Sequence, residues 1–191
     1  MTTILIIVIA IILIIAIGYF AILNNLNKMS VKVEESLSGI DVALTKRYDV
    51  LNKMMDVVKS YTKYEKETLF KTIKLRNNMT MEEKNDANSA MNENLRKINV
   101  IAENYPELKS SENYKTLQLS IADVEEHLGA ARRVYNSNVS YYNQLLVTFP
   151  SSMLAKQKGM QPKEFFKAEE EKKKDVKINL SQDWFLKIKN I

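Results

Sequence analysis

The stretch ENYKTLQLSIADVEEHLGAARRVYNSNVSYYNQLLVTFP, residues 112 to 150, decides the fold. Tyr114, Leu117, Ile121, Val124, Leu128, Ala131, Tyr135, Asn138, Tyr142, Leu145 and Phe149 recur at alternating steps of three and four, the spacing of one face of a helix. The run predicts a helix of ~57 Å at 1.5 Å per residue. Ser111 can cap its start, Glu112 sits favourably against the positive end of the helix dipole, and Pro150 closes it. Arg132 flanks the apolar seam and Arg133 points away from it. Asn138, inside the seam, would fix register at some cost in stability.

Working back towards the N-terminus, only Gly39 interrupts the sequence between Leu23 and Pro106 as a glycine or proline, so long helices are expected there. One seam reads Leu37, Leu44, Leu51, Val58 and a second reads Ile40, Arg47, Met54, Tyr61, both at steps of seven. The pattern loosens around Leu69, Ile73 and Leu75, and the helix is expected to end at Asn77 and Asn78. Thr80 followed by Glu83 is a capping box for a second helix, whose apolar face runs Ala87, Met91, Leu95, Ile98, Ala102, Tyr105. Joined by short turns, the three helices are expected to run up, down and up, with the first and third parallel. In that register Arg132 falls near Asp56 and Arg47 near Glu125, and inter-helix ion pairs are expected at both places.

Beyond Pro150 the signals are shorter. Ser152 to Lys158 reads as a short helix ended by Gly159, and Pro162 as the first turn of another helix over Lys163 to Lys174. In EEEKKK, residues 169 to 174, Glu precedes Lys at helical spacings, the pattern of a solvated face. Val176 to Leu180 reads as extended, and the tail SQDWFLKIKNI, residues 181 to 191, as a packed or frayed end ahead of a surface-seeking one.

The first thirty residues are of another kind. From Ile4 to Leu23 only Gly18, Tyr19 and Phe20 depart from aliphatic side chains, and twenty residues cover ~30 Å, the hydrocarbon thickness of a bilayer. A cleaved signal peptide would show a basic start, a shorter apolar stretch and a small-residue cleavage site, none of which is present, so an uncleaved anchor is expected. Lys28 and Lys32 follow the span and no Lys or Arg precedes it. That places the N-terminus outside and the C-terminal domain in the cytoplasm of a bacterial cell, although large domains override this rule in some proteins. The net charge of +5 arises after residue 27 and fits proximity to anionic lipid better than nucleic-acid binding, for which there is no basic-aromatic motif.

Catalytic patterns are scarce. The chain has no cysteine and one histidine, His127, so a di-metal bundle site, a zinc site or a Cys-based triad has too few side chains. The four glycines are isolated and form no phosphate loop. No cofactor, metal or catalytic residue is therefore expected.

The segments RYDV, NKMMDVVKSYTKYE, AENYPELKSSENYKTLQ, EEHLGAARRVYN, VTFPSSMLA and KEFFKAEEE, in this order, resemble the LemA family over about residues 28 to 180. Where that family usually writes a proline-asparagine pair after its Arg-Tyr-Asp element, this chain has Asn52 and Lys53, so no helix break is expected there. The resemblance implies an all-α protein with an N-terminal transmembrane anchor (1–27) and an elongated antiparallel three- to four-helix bundle (28–180) with a short helical or extended C-terminal segment; the tail (181–191) has no counterpart in the family. It carries no established activity or catalytic residues, and some relatives are associated with magnetosome membranes. The expected function is a single-pass, membrane-anchored helical scaffold with unidentified protein partners, a second copy among them. The lipid bilayer is contacted through residues 4–23. Arg47, Asp56, Glu125, Arg132, Arg133, Tyr135 and Asn138 are the expected packing and recognition residues. A membrane-shaping or lipid-contacting protein is the alternative, and a hydrolase using carboxylate-held metal a remote one.

Overall fold

The computed structural model describes residues 1–62, 70–73, 75, 76 and 78–167. With no proline before position 106, helix α1 runs unbroken over Thr2–Tyr61, 60 residues or ~90 Å at 1.5 Å each. It passes through Asn52 and Lys53 without a break. Its first third is apolar on every side and exposed, with a window of mean hydropathy 3.3, long and apolar enough to cross a membrane. From Leu26 the burial pattern changes to steps of three and four: Leu26, Met29, Val33, Ile40, Leu44, Arg47, Leu51, Met54, Val58. One helix is thus the membrane span and the central core element at once.

Helix α1 ends at Tyr61, about four turns before the expected Asn77-Asn78 stop, with Thr62 in extended conformation. Phe70 and Ile73 are buried but not helical, so their apolar side chains belong to a returning connection rather than to a continued helix. Helix α2, Met81–Asn104, starts at the expected capping box: the Glu83 amide donates to Thr80 Oγ1 (3.2 Å) and the Thr80 amide to Glu83 Oε2 (2.8 Å). A single short turn of helix, α3 (Pro106–Ser110), leads to α4, Glu112–Val147, capped by Ser111 as expected.

The directions differ from those expected. Lys84 pairs with Asp41 near the start of α2, and Arg47 meets Asn88 and Asn92 further along, so α2 runs parallel to α1. On α4 the order is reversed. Glu125 meets Arg47, Ala131 lies against Gly39 (4.0 Å from where a Cβ would stand) and the Asn138 amide reaches the Lys32 carbonyl (3.4 Å), so α4 is antiparallel to α1. The physical reason is the connection between Tyr61 and Met81. It is long enough to return down the bundle, which a short turn cannot do, and so resets the direction of everything after it.

Helix α5, Ser151–Gln157, turns back up against α1 and α4. Residues 160–167 are not the helix that Pro162 suggested; they run up the bundle as irregular chain between α1 and α4. The expectations for residues 168 to 191, including the EEEKKK run, the extended stretch and the tail, lie outside the described residues. Two core clusters share α1. The lower one holds Leu26 to Leu44 with Leu128, Tyr135, Val139, Tyr142, Leu146, Leu154, Ala155 and Phe166. The upper one holds Leu51 to Val58 with Phe70, Ile73, Met91, Ile98, Leu108, Tyr114 and Ile121.

Candidate interaction site

Arg47 sits between the two clusters and is 1% exposed. A guanidinium has five N–H donors and no acceptor, so in an apolar seam it must find carbonyl or carboxylate oxygens. Helix α2 supplies Asn88 Oδ1 and Asn92 Oδ1, one turn apart on the same face, and α4 supplies the carboxylate of Glu125. The network ties all three long helices at one level. Its acceptors match the fork of an arginine, and Glu125 remains half-buried at the edge, which lessens the desolvation of the pair.

A second polar arrangement recurs. Asn143 Oδ1 accepts from the Lys163 amide and its Nδ2 donates to the Lys163 carbonyl, both at 2.9 Å. Asn136 holds the amide and carbonyl of Phe166 in the same way, again at 2.9 Å each. Asn94 of α2 does so for Lys71 of the connection, and Asn85 Oδ1 accepts from the Lys167 amide at 2.9 Å. Irregular chain laid on a helix has no sheet partner for its backbone groups, and a carboxamide presents the donor and acceptor of a peptide group at the right spacing. The Tyr135 hydroxyl donates to the Glu164 carbonyl (2.9 Å), and Lys163 Nζ pairs with Glu34 (2.6 Å). Burial, then the Glu34 and Glu164 carboxylates, push the Tyr135 phenol up to about 12.

Of the expected site residues, the structure brings Arg47 and Glu125 together and buries Tyr135. It separates Arg132 from Asp56. Arg132 follows Ala131 at the level of Gly39, and Asp56 lies seventeen residues further along α1, ~25 Å away along the axis. The parallel register was the error, and position 47 is where the parallel and antiparallel registers cross. Arg132 is half-buried and Arg133 exposed. Asn138 is half-buried beside the seam while Val139 is fully buried. A straight helix drifts ~20° per heptad from a seven-residue repeat, which by this point has moved burial one residue on, to Val139 and Leu146 in place of Asn138 and Leu145. Phe149 leaves the core altogether.

Asn85, Asn88, Asn92, Asn94, Asn136 and Asn143 were missed in the sequence. Asparagine is a poor helix former, so Asn88 and Asn92 four apart, and Asn136 and Asn143 seven apart, inside strong helices are a readable signal. An open cleft of about 510 Å³ lies beside the network, with Asp41, Tyr48, Asp49, Arg76, Met79 and Lys84 in its walls. Among the described residues, no group of three or more His, Cys, Asp and Glu side chains is placed to hold a metal ion. His127 lies 3.5 Å from Asp123 on an exposed face.

A family model described as the LemA family matches residues 36–180, more than half of the chain. The chain belongs to the LemA family. Its matched part begins beyond the apolar span and includes the whole Arg47 network and the asparagine contacts. This LemA-family chain is similar to Protein LemA of Metamycoplasma hominis, 28% identical over 177 residues, 86% of this chain and 79% of that protein. It is also similar to the magnetosome protein MamQ of Magnetospirillum gryphiswaldense, 29% identical over 72 residues, 38% of this chain but 26% of that protein.

Proposed function

We propose that this LemA-family protein is a membrane-anchored scaffold whose helical domain binds other proteins. One observation carries the reading: α1 is both the apolar span and the central core helix, so the domain cannot swivel on a linker and is held at a fixed distance from the span. The buried polar chemistry supports it, since Arg47 and the asparagines are consumed in holding helices and chain together, leaving the outer faces of α2 and α4 to meet partners. Crosslinking in native membranes followed by mass spectrometry tests this. Crosslinks from α2 or α4 to specific proteins or to a second copy are expected; a strictly monomeric, partnerless protein overturns it.

For orientation we propose a cytoplasmic domain. Lys28 and Lys32 flank the span directly, and folding returns the exposed Lys156 and Lys158 towards the same end. Protease digestion of intact and permeabilised cells tests the assignment: cleavage of the domain in intact cells reverses it.

A further inference from the structure

We propose that the turn from Val147 to Met153 is a second membrane contact, a foot that inserts beside α1 into the headgroup region of an anionic bilayer. It goes beyond the scaffold reading and does not depend on it. The level of the turn is fixed by the register of α4 on α1. The Asn138 amide reaches the Lys32 carbonyl, and Val147 lies nine residues on along α4, while nine residues back from Lys32 along antiparallel α1 is Leu23. Leu23 is the last residue of the apolar run. Independently, Tyr19 and Ile22, inside that run, pack against the core cluster that contains Leu146 and Leu154. The lower end of the bundle therefore stands at the depth where the span enters hydrocarbon.

At that depth three large apolar side chains point outward: Val147 is 79% exposed, Phe149 75% and Met153 64%. On the side of a soluble bundle they would be scattered surface residues; at the foot of the anchor they form one apolar tip. Part of the turn's backbone is paired within the protein. The Thr148 amide donates to the Gln144 carbonyl (3.0 Å), the Ser152 amide to the Thr148 carbonyl (2.8 Å), and the buried Ser151 hydroxyl lies 2.7 Å from the Leu145 carbonyl. The groups left unpaired stay solvated at headgroup depth, so the contact is interfacial and not a second span.

Charge points to the same occupant. No Asp or Glu occurs in residues 1–33 or in 127–163, the two stretches that build the lower end. Lys28, Lys32, Lys156 and Lys158 are exposed there, an all-basic collar above an apolar tip. This is the pattern of an interfacial contact with anionic lipid rather than of a protein interface, whose core is depleted in lysine.

Because the chain has no cysteine, any introduced one is unique. Phe149→Cys, Met153→Cys and, as a control on the outer face of α4, Val134→Cys carry an environment-sensitive fluorophore in the full-length protein. It is reconstituted in phosphatidylcholine vesicles with and without phosphatidylglycerol. The expected result is blue-shifted emission and quenching by bromolipid at 149 and 153 but not at 134, stronger with phosphatidylglycerol. Quenching by aqueous iodide alone at all three positions overturns the proposal. So does a blue shift at 149 that follows protein density in the vesicle without bromolipid quenching, since it assigns the tip to a second copy. The first of these results leaves the crosslinking test of the scaffold untouched.

Discussion

The two halves of the bundle are built on the same helix yet closed differently. Above Arg47, α1 has two long neighbours, α2 and α4. Below it α2 contributes only its first turns, because it begins near the level of Asp41, and further down its place is taken by short α5 and by residues 160–167. A helix brings its own backbone hydrogen bonds; irregular chain does not. The lower half therefore needs Asn136, Asn143 and Asn85 as donors and acceptors where the upper half relies on side-chain packing, with Asn94 of α2, which holds Lys71 of the returning connection, as the exception. The difference teaches how one helix can serve as anchor and core: near the membrane the domain is closed with short pieces, and the third long helix is reserved for the part that stands clear of it.

The largest effect is expected at the boundary between the halves. Arg47→Met leaves Asn88, Asn92 and the Glu125 carboxylate without their shared donor and is expected to cost ~3–5 kcal/mol, the range for removing one partner of a buried ion pair. Denaturant titration of the full chain in detergent measures it. A loss below 1 kcal/mol would mean that the two halves do not depend on the network that joins them.

Next come the cores themselves. Leu26→Ala in the lower half and Met91→Ala in the upper are both fully buried deletions, each in the ~2–5 kcal/mol range. Leu26 is expected to cost more. Met91 has Met54 and Met55 in its cluster, whose unbranched side chains can lean into the space, while the cluster of Leu26 is built mostly from branched and aromatic side chains. Equal losses would remove the distinction between an adaptable upper core and a fixed lower one.

Much of this architecture is legible in the sequence. The seams of α1 and α4, the anchor, the capping box at Thr80 and the stop before Pro150 are local patterns, set by residues within a few turns of each other. What was not legible depends on distant chain. The direction of α4 hangs on where the connection after Tyr61 goes, which no periodicity encodes. Lys163 to Lys167 read as the start of a helix after Pro162 because the groups that hold them as irregular chain, Asn136 and Asn143, sit on another helix. Arg47 beside Glu125 could be read from either direction of α4, so that pair was found while Arg132 and Asp56 were misplaced.

Smaller effects should follow at the asparagines. Asn136→Ala and Asn143→Ala each leave a backbone N–H and C=O of the 160–167 segment without their protein partner, at an expected ~1–2 kcal/mol each. Hydrogen exchange should separate this from a core defect, with faster exchange at Lys163 and Phe166 and unchanged protection in α2. Loosening of α2 together with the segment would show that the two closures are one cooperative unit.

The smallest and most specific effect is a pH dependence that differs between the halves. The Tyr135 phenol is pushed from 10.0 up to about 12 by burial and by the Glu34 and Glu164 carboxylates, so between those values the native state holds a proton that the unfolded chain has lost. The stability from this difference is fully present below about pH 10 and falls as pH rises through the native value. In the upper half burial also raises the phenol of Tyr114, but its bond with Gln118 works the other way. Tyr135→Phe should therefore flatten the alkaline fall in stability more than Tyr114→Phe does. At neutral pH it should cost ~1 kcal/mol for the lost bond to the Glu164 carbonyl. If Tyr114→Phe flattened the curve more, the carboxylates beside Tyr135 would be too well solvated to matter, and the lower half would be more open to water than its asparagine-held closure implies.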